Sequence, residues 1–211
     1  MLNAIEILAG LGRIANEAFA YAVLWHLVIA GLLIALLLQW RPAPRLAGGL
    51  LCLPLASVSG FAWAFGNPFN GIAFAMVTVV LGLFVWRAPE RDVRRSRPWT
   101  VALGGMLVAF GWFYPHFLVG RPALAYLYGA PVGLIPCPTL SLLIGVTLIG
   151  SGPNTKSGSL VLAGAGAFYA LFGALRLGVL IDLVLLAGSI GLGLQVIGSA
   201  GRQSGSTAAK F

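Results

Sequence analysis

The chain has 211 residues, 59% hydrophobic and 9% charged, with a mean hydropathy of +0.96 and a formal net charge of +8. A water-soluble domain carries about 25% charged residues, so a soluble globule is excluded. The lysines and arginines sit in short loops between apolar runs, which is an orientation signal and not a basic face for tracking phosphates, so nucleic acid is not expected as a partner.

Residues 1–18 place apolar side chains at helical spacing around Glu6 and Arg13. This reads as a short interfacial helix or as a helical lead-in to the first span. No positively charged start precedes the first apolar run, so a cleaved signal peptide is not expected. Apolar runs then follow at 19–39, 46–65, 71–86 and 99–118, in a broken stretch ending near Gly150, and at 160–175 and 178–197. About 20 apolar residues cross the hydrocarbon. The expected fold is therefore an all-α, polytopic transmembrane bundle of about seven spans, forming a single membrane domain over 1–211 with a flexible cytoplasmic tail at 202–211. Only Arg176 and Leu177 separate the last two runs, so six spans with a long bent final helix is the competing count.

Seven spans divide the basic residues unevenly. One side receives Arg41, Arg45, Arg87, Arg91, Arg94, Arg95, Arg97, Lys156, Arg202 and Lys210, and the other receives Arg13, Arg121 and Arg176. The rich side should be cytoplasmic, which puts the N-terminus outside and the C-terminus inside. Glu17 and the 66–70 loop then lie outside as well. Trp40, Trp63, Trp86, Trp99 and Trp112 fall where interfacial anchors or lipid contacts belong. No lysine falls within a span, which excludes a retinal Schiff base.

The fifth run, 128–145, contains Pro131, Pro136 and Pro138 together with three glycines. Each proline lacks an N–H and biases its predecessor away from the helix, so the span must break. Broken backbone at membrane depth is tolerated only where protein or a water-filled cavity satisfies it. The break carries Cys137 and Thr139, and the expected topology gathers Tyr114, His116, Arg121, Arg176 and Asp182 on the same side. These seven polar residues form the candidate site. Asp182 is costly within an apolar run and reads as the ion-pair partner of Arg176, as a proton or cation relay, or as a headgroup contact. Cys137 at a helix start has the setting of a lowered thiol pKa, or is a small residue packed at a bend. Cys52 belongs near the opposite end and cannot be its disulfide partner. His26, within the first span, reads as a helix-to-helix hydrogen-bonding residue. His26 with His116 is the weaker alternative for a metal or haem, and the sequence requires no cofactor. Gly104, Gly105, Gly164, Gly166, Gly173, Gly188, Gly191 and Gly193 indicate close helix packing.

Around Pro136-Cys137-Pro138-Thr139 the chain resembles a family of small bacterial integral membrane proteins of unknown function, in which a Pro-Cys-Pro-Thr-Thr stretch opens a span. The resemblance extends to Asn67-Pro68, Tyr114-Pro115 and the approach to Asp182, and Leu140 replaces the second threonine. It implies a multi-pass protein of the bacterial cytoplasmic membrane and singles out residues 136–139. It implies no activity. From the residues, an accessory or structural subunit of a membrane complex, or a homo-oligomer, ranks first. A small-solute or ion transporter with its site at the broken span comes second, and a membrane thiol enzyme third.

Overall fold

The computed structural model describes residues 3–38, 43–87, 97–150 and 155–208. Trp40, Arg41, Arg91, Arg94, Arg95 and Lys210, which enter the anchor and charge expectations, lie outside these residues. The described residues are helical with irregular connections and contain no strand.

Helix α1 (Ala4–Glu17) opens with a reciprocal cap: Asn3 Oδ1 accepts the Glu6 N–H at 2.8 Å, and Glu6 Oε2 accepts the Asn3 N–H at 2.9 Å. It meets α2 (Phe19–Leu37) at a bend of 70°. Helices α3 (Pro44–Ala64), α4 (Pro68–Trp86), α5 (Pro98–Phe113) and α7 (Pro136–Gly150) each begin on a proline. That is the position where a missing N–H costs nothing and the fixed φ suits a helix. A single turn, α6 (Tyr126–Gly129), precedes α7. Helices α8 (Lys156–Leu171) and α9 (Leu183–Ala208) complete the chain. No proline interrupts α9, so the tail expected over 202–211 is helical as far as Ala208.

Each apolar run thus forms its own helix, but the expected seven spans are met only in part. Four segments, Arg45–Ala64, Pro68–Trp86, Lys156–Arg176 and Leu180–Gly198, are long and apolar enough to cross a membrane, and α1 with α2 adds a fifth if the bent pair is one span. Helices α5 and α7 have 16 and 15 residues. At 1.5 Å per residue they reach about 24 and 22 Å, against a hydrocarbon core of about 30 Å. Prolines set the shortfall, because Pro115 follows the end of α5 and Pro136 delays the start of α7. The single bent final helix is not formed. A π turn over Phe172–Arg176, left-handed Gly178 (φ 73°) and a 3₁₀ turn at Leu180–Asp182 fold α9 back along α8.

Neighbouring helices run antiparallel, and glycine sets their separation. A Cβ at Gly104 of α5 would stand 2.7 Å from the Gly145 carbonyl oxygen of α7, and one at Gly145 would stand 2.6 Å from that of Gly104. One heptad away, a Cβ at Gly111 would stand 2.6 Å from the Pro138 carbonyl oxygen. Gly166 of α8 faces Ser189 and Ile144, and Gly188 of α9 receives Leu107. Small residues at such crossings let backbones approach where burial itself gives no gain over lipid. The apolar core joins Leu55, Phe74, Leu107, Leu140, Ile144 and Leu185. At one end, α1 lays Leu11, Ile14 and Ala18 over Leu134 and Ile135 of the broken stretch and over Phe61 and Phe65 of α3.

Gly145→Ala is expected to lower stability by about 1–3 kcal/mol through overpacking. Gly105→Ala, with no atom within 4 Å of its added Cβ, should leave stability unchanged or slightly raised. Unfolding midpoints in detergent measure both, and equal effects would remove the close crossing of α5 and α7.

Candidate functional site

The broken stretch bonds the N–H groups of residues 132–135 within itself and to Thr139. The Gly133 N–H donates to Thr139 Oγ1 at 2.8 Å, and the Thr139 hydroxyl donates to the Ile135 carbonyl at 2.7 Å. The Leu134 and Ile135 N–H groups both donate to the Pro131 carbonyl, at 3.3 and 3.2 Å, and Val132 N–H donates to Ala130 at 2.6 Å. Pro136 and Pro138 fall in the first turn of α7, where no intrahelical partner awaits an N–H. Gly133 takes a left-handed φ of 73°, and Gly is the residue that does so without steric cost. Every residue from 129 to 136 is buried. The space is filled by side chains of α2, with Phe19 against Gly129 and Trp25 against Gly133. Trp25 Nε1–H in turn donates to Ser57 Oγ of α3 at 2.9 Å. The break is held by protein, the first of the two conditions expected of it.

Beside it lies a polar tie between helix ends. Asp182 is 1% exposed and Tyr114 is fully buried, and the Tyr114 hydroxyl donates to Asp182 Oδ1 at 2.7 Å. The other carboxylate oxygen packs on Gly173, where any Cβ would collide with it. Cys137 lies beside Asp182, and its thiol is directed to the Tyr169 carbonyl, with Sγ 4.0 Å from the oxygen. The Tyr169 hydroxyl donates to Asn70 Oδ1 at 2.9 Å. The C-terminal end of α5, the start of α7, the end of α8, the approach to α9 and the start of α4 are thereby joined. Cys52 and Cys137 are both free, as expected.

Of the seven candidate residues, the structure brings together Tyr114, Cys137 and Asp182. Thr139 serves the break one turn further along α7. The ion pair expected between Arg176 and Asp182 is not formed. Arg176 is exposed on the outside of the π turn while the 3₁₀ turn carries Asp182 inward, and among the described residues the ion pair is Arg13 with Glu17 at 3.9 Å. Arg121 lies over the Phe19 ring, 3.7 Å from its centroid, and so clamps the side chain that fills the space at Gly129.

The two histidines have separate roles. His26 Nδ1 is 2.9 Å from the Ala22 carbonyl and Nε2 is 3.1 Å from that of Trp112, one of the last four carbonyls of α5 that lack an intrahelical donor. This is the helix-to-helix contact expected of His26. Both ring nitrogens face carbonyl oxygens, of which a neutral ring can donate to one, and no group of three or more His, Cys, Asp or Glu among the described residues could hold a metal. His116 instead lines a cleft with α1.

That cleft, about 720 Å³ and open to one side, lies between α1 and the loop at 115–119. Asn16 builds it. Its Nδ2 donates to the Phe117 carbonyl at 2.7 Å, and its Oδ1 accepts the Val119 N–H at 3.0 Å. Phe117 is thereby held at φ 79°, a left-handed conformation unusual for a bulky residue. Burial lowers the pKa of His116 below the ordinary histidine value, which leaves its ring neutral at pH 7. Sequence reasoning passed over Asn16 and Tyr169, gave Asn70 only as part of an outer loop, and gave Gly173 only as a packing glycine. For Asn16 a signal was available, since Arg13, Asn16 and Glu17 share one helical face by their spacing.

Tyr114→Phe removes a donor from a buried carboxylate and should cost about 1–3 kcal/mol of stability, seen as a lower unfolding midpoint in detergent. It should also speed alkylation of Cys137 by maleimide, expected in the unaltered chain only on denaturation; an unchanged midpoint with fast alkylation in both would dissolve the tie. Comparison with protein-family models, with curated proteins and with solved structures finds no match for this chain.

Proposed function

We propose that the chain is a seven-span protein of the bacterial cytoplasmic membrane that serves as an accessory or structural subunit of a membrane complex. The observation that carries this reading is the filled break. A carrier built on a discontinuous helix offers free backbone groups to its substrate. Here the N–H groups of residues 132–135 are bonded to Ala130, Thr139 and Pro131, the Ile135 carbonyl accepts from Thr139, and Trp25 and Phe19 occupy the space beside them. The broken span is then a rigid packing element, and Cys137 is a packed residue within it. The likeness to the Pro-Cys-Pro-Thr-Thr family belongs to the same proposal.

The alternation of helix ends supports the topology. Gly48 of α3 meets Val85 of α4 at one end of that pair, and Ser59 Oγ–H bonds the Gly71 carbonyl at 2.7 Å toward the other. Such alternation keeps Arg45, Arg87, Arg97 and Lys156 at one end of the bundle, opposite Arg13, Arg121 and Arg176. The exposed Trp86 and Trp99, one ending α4 and the other opening α5, sit at the basic end, where interfacial anchors belong. Short α5 and α7 fit the same scheme, with α1 and the 114–135 connection completing the thickness at the opposite end.

A partner needs an outward face. Gly166 is turned inward, whereas Gly164 is exposed with nothing within 4 Å of an added Cβ. Gly164→Leu is therefore expected to release a co-purifying membrane protein or a second copy while preserving the fold, and Gly166→Leu to damage the fold itself. A monodisperse monomer from native membranes, unaffected by Gly164→Leu, would defeat the subunit reading. Leu124→Cys, at a position 72% exposed, should label from outside in intact cells with an impermeant thiol reagent; labelling only after permeabilisation would invert the topology.

A further inference from the structure

Away from the Tyr114–Asp182 tie, the cleft between α1 and the 115–119 loop holds chemistry that the subunit reading does not use. Its size falls within the range of small-ligand sites, roughly 300–1,000 Å³. Its walls are of two kinds. Leu8, Pro115 and Val119 are apolar, and Val119 is 78% exposed although it lies on a loop. On the rim stand opposite charges one helical turn apart, Arg13 and Glu17, with side chains 57% and 61% exposed and 3.9 Å between them. An exposed pair at that spacing contributes little, so both heads remain available to a ligand. Arg13 is already oriented, because its Nη2 donates to the Phe65 carbonyl at 3.2 Å and its guanidinium lies over the Phe65 ring. The opposite wall is held by Asn16 with Phe117 in a left-handed conformation. Strain of this kind persists where the surroundings over-determine it, and it gathers at ligand clamps.

We infer that this cleft binds the headgroup of a zwitterionic phospholipid bearing a primary ammonium, with Arg13 on the phosphate, Glu17 on the ammonium and the glycerol end against Leu8, Pro115 and Val119. The charges select the class. An anionic headgroup without an ammonium would place its negative charge against Glu17, and a quaternary ammonium has no N–H to donate to a carboxylate. The apolar wall selects a lipid over the same zwitterion free in solution. His116, with no hydrogen bond to either ring nitrogen among the described residues, offers a further neutral N–H beside the phosphate. The inference rests on the membrane reading above.

The test uses the full chain in vesicles of equal parts phosphatidylethanolamine and phosphatidylcholine, released for native mass spectrometry. One retained phosphatidylethanolamine is expected, about five-fold favoured over phosphatidylcholine, as a charge-assisted hydrogen bond would give. Glu17→Gln should bring that ratio near unity, Arg13→Gln should lower retention of both lipids several-fold, and soluble glycerophosphoethanolamine should not displace the lipid. Equal retention of both lipids by the unaltered chain, a preference that survives Glu17→Gln, retention unchanged by Arg13→Gln, or displacement by the soluble headgroup overturns the inference. Extraction of the chain by alkaline carbonate would overturn the membrane reading along with it, whereas firm insertion without headgroup preference overturns this inference alone.

Discussion

A carboxyl group buried to 1% exposure must be met by a donor, and at Asp182 that donor is the Tyr114 hydroxyl. The arrangement of helix ends follows from that requirement. Tyr114 can reach Asp182 only if α5 stops at Phe113, and Cys137 can meet the Tyr169 carbonyl beside them only if α7 starts at Pro136. The carboxylate fits only because Gly173 has no side chain. Removing a partner from such a group costs more than the bond contributes, since the charge or dipole is left unmet in a medium that does not solvate it. The tie therefore specifies geometry more than it adds stability.

The broken stretch obeys the same rule with backbone groups in place of a side chain. Three prolines remove three donors, and the Thr139 hydroxyl bridges two of the remaining groups by accepting from Gly133 and donating to Ile135. Trp25, Phe19 and the apolar side of α1 exclude solvent from the turn. The helix pairs around it are drawn together by contact and not by escape from water, because lipid is as apolar as leucine. Glycines at Gly104, Gly111 and Gly145 make that contact close enough to count.

Much of this was legible in the residues. The prolines announced the break, and Tyr114, Cys137 and Asp182 were expected on one side and do meet. His26 was read as a helix-to-helix bond and forms one with the end of α5. The errors came where sequence distance stood in for direction. Arg176, six residues from Asp182, turns the other way because a π turn and left-handed Gly178 intervene. His116, two residues from Tyr114, faces α1 because the chain reverses at Pro115 and Phe117.

What the sequence determines by itself is the solvent, the helical class and the place of the break, because composition, apolar run length and the missing N–H of proline act locally. Tertiary structure decides which polar groups share one environment and which helices are long enough to cross unaided. Hydrogen-bond direction and glycine-gated approach depend on atoms from different helices, as far apart in the chain as Tyr114 and Asp182, and no local pattern carries that information.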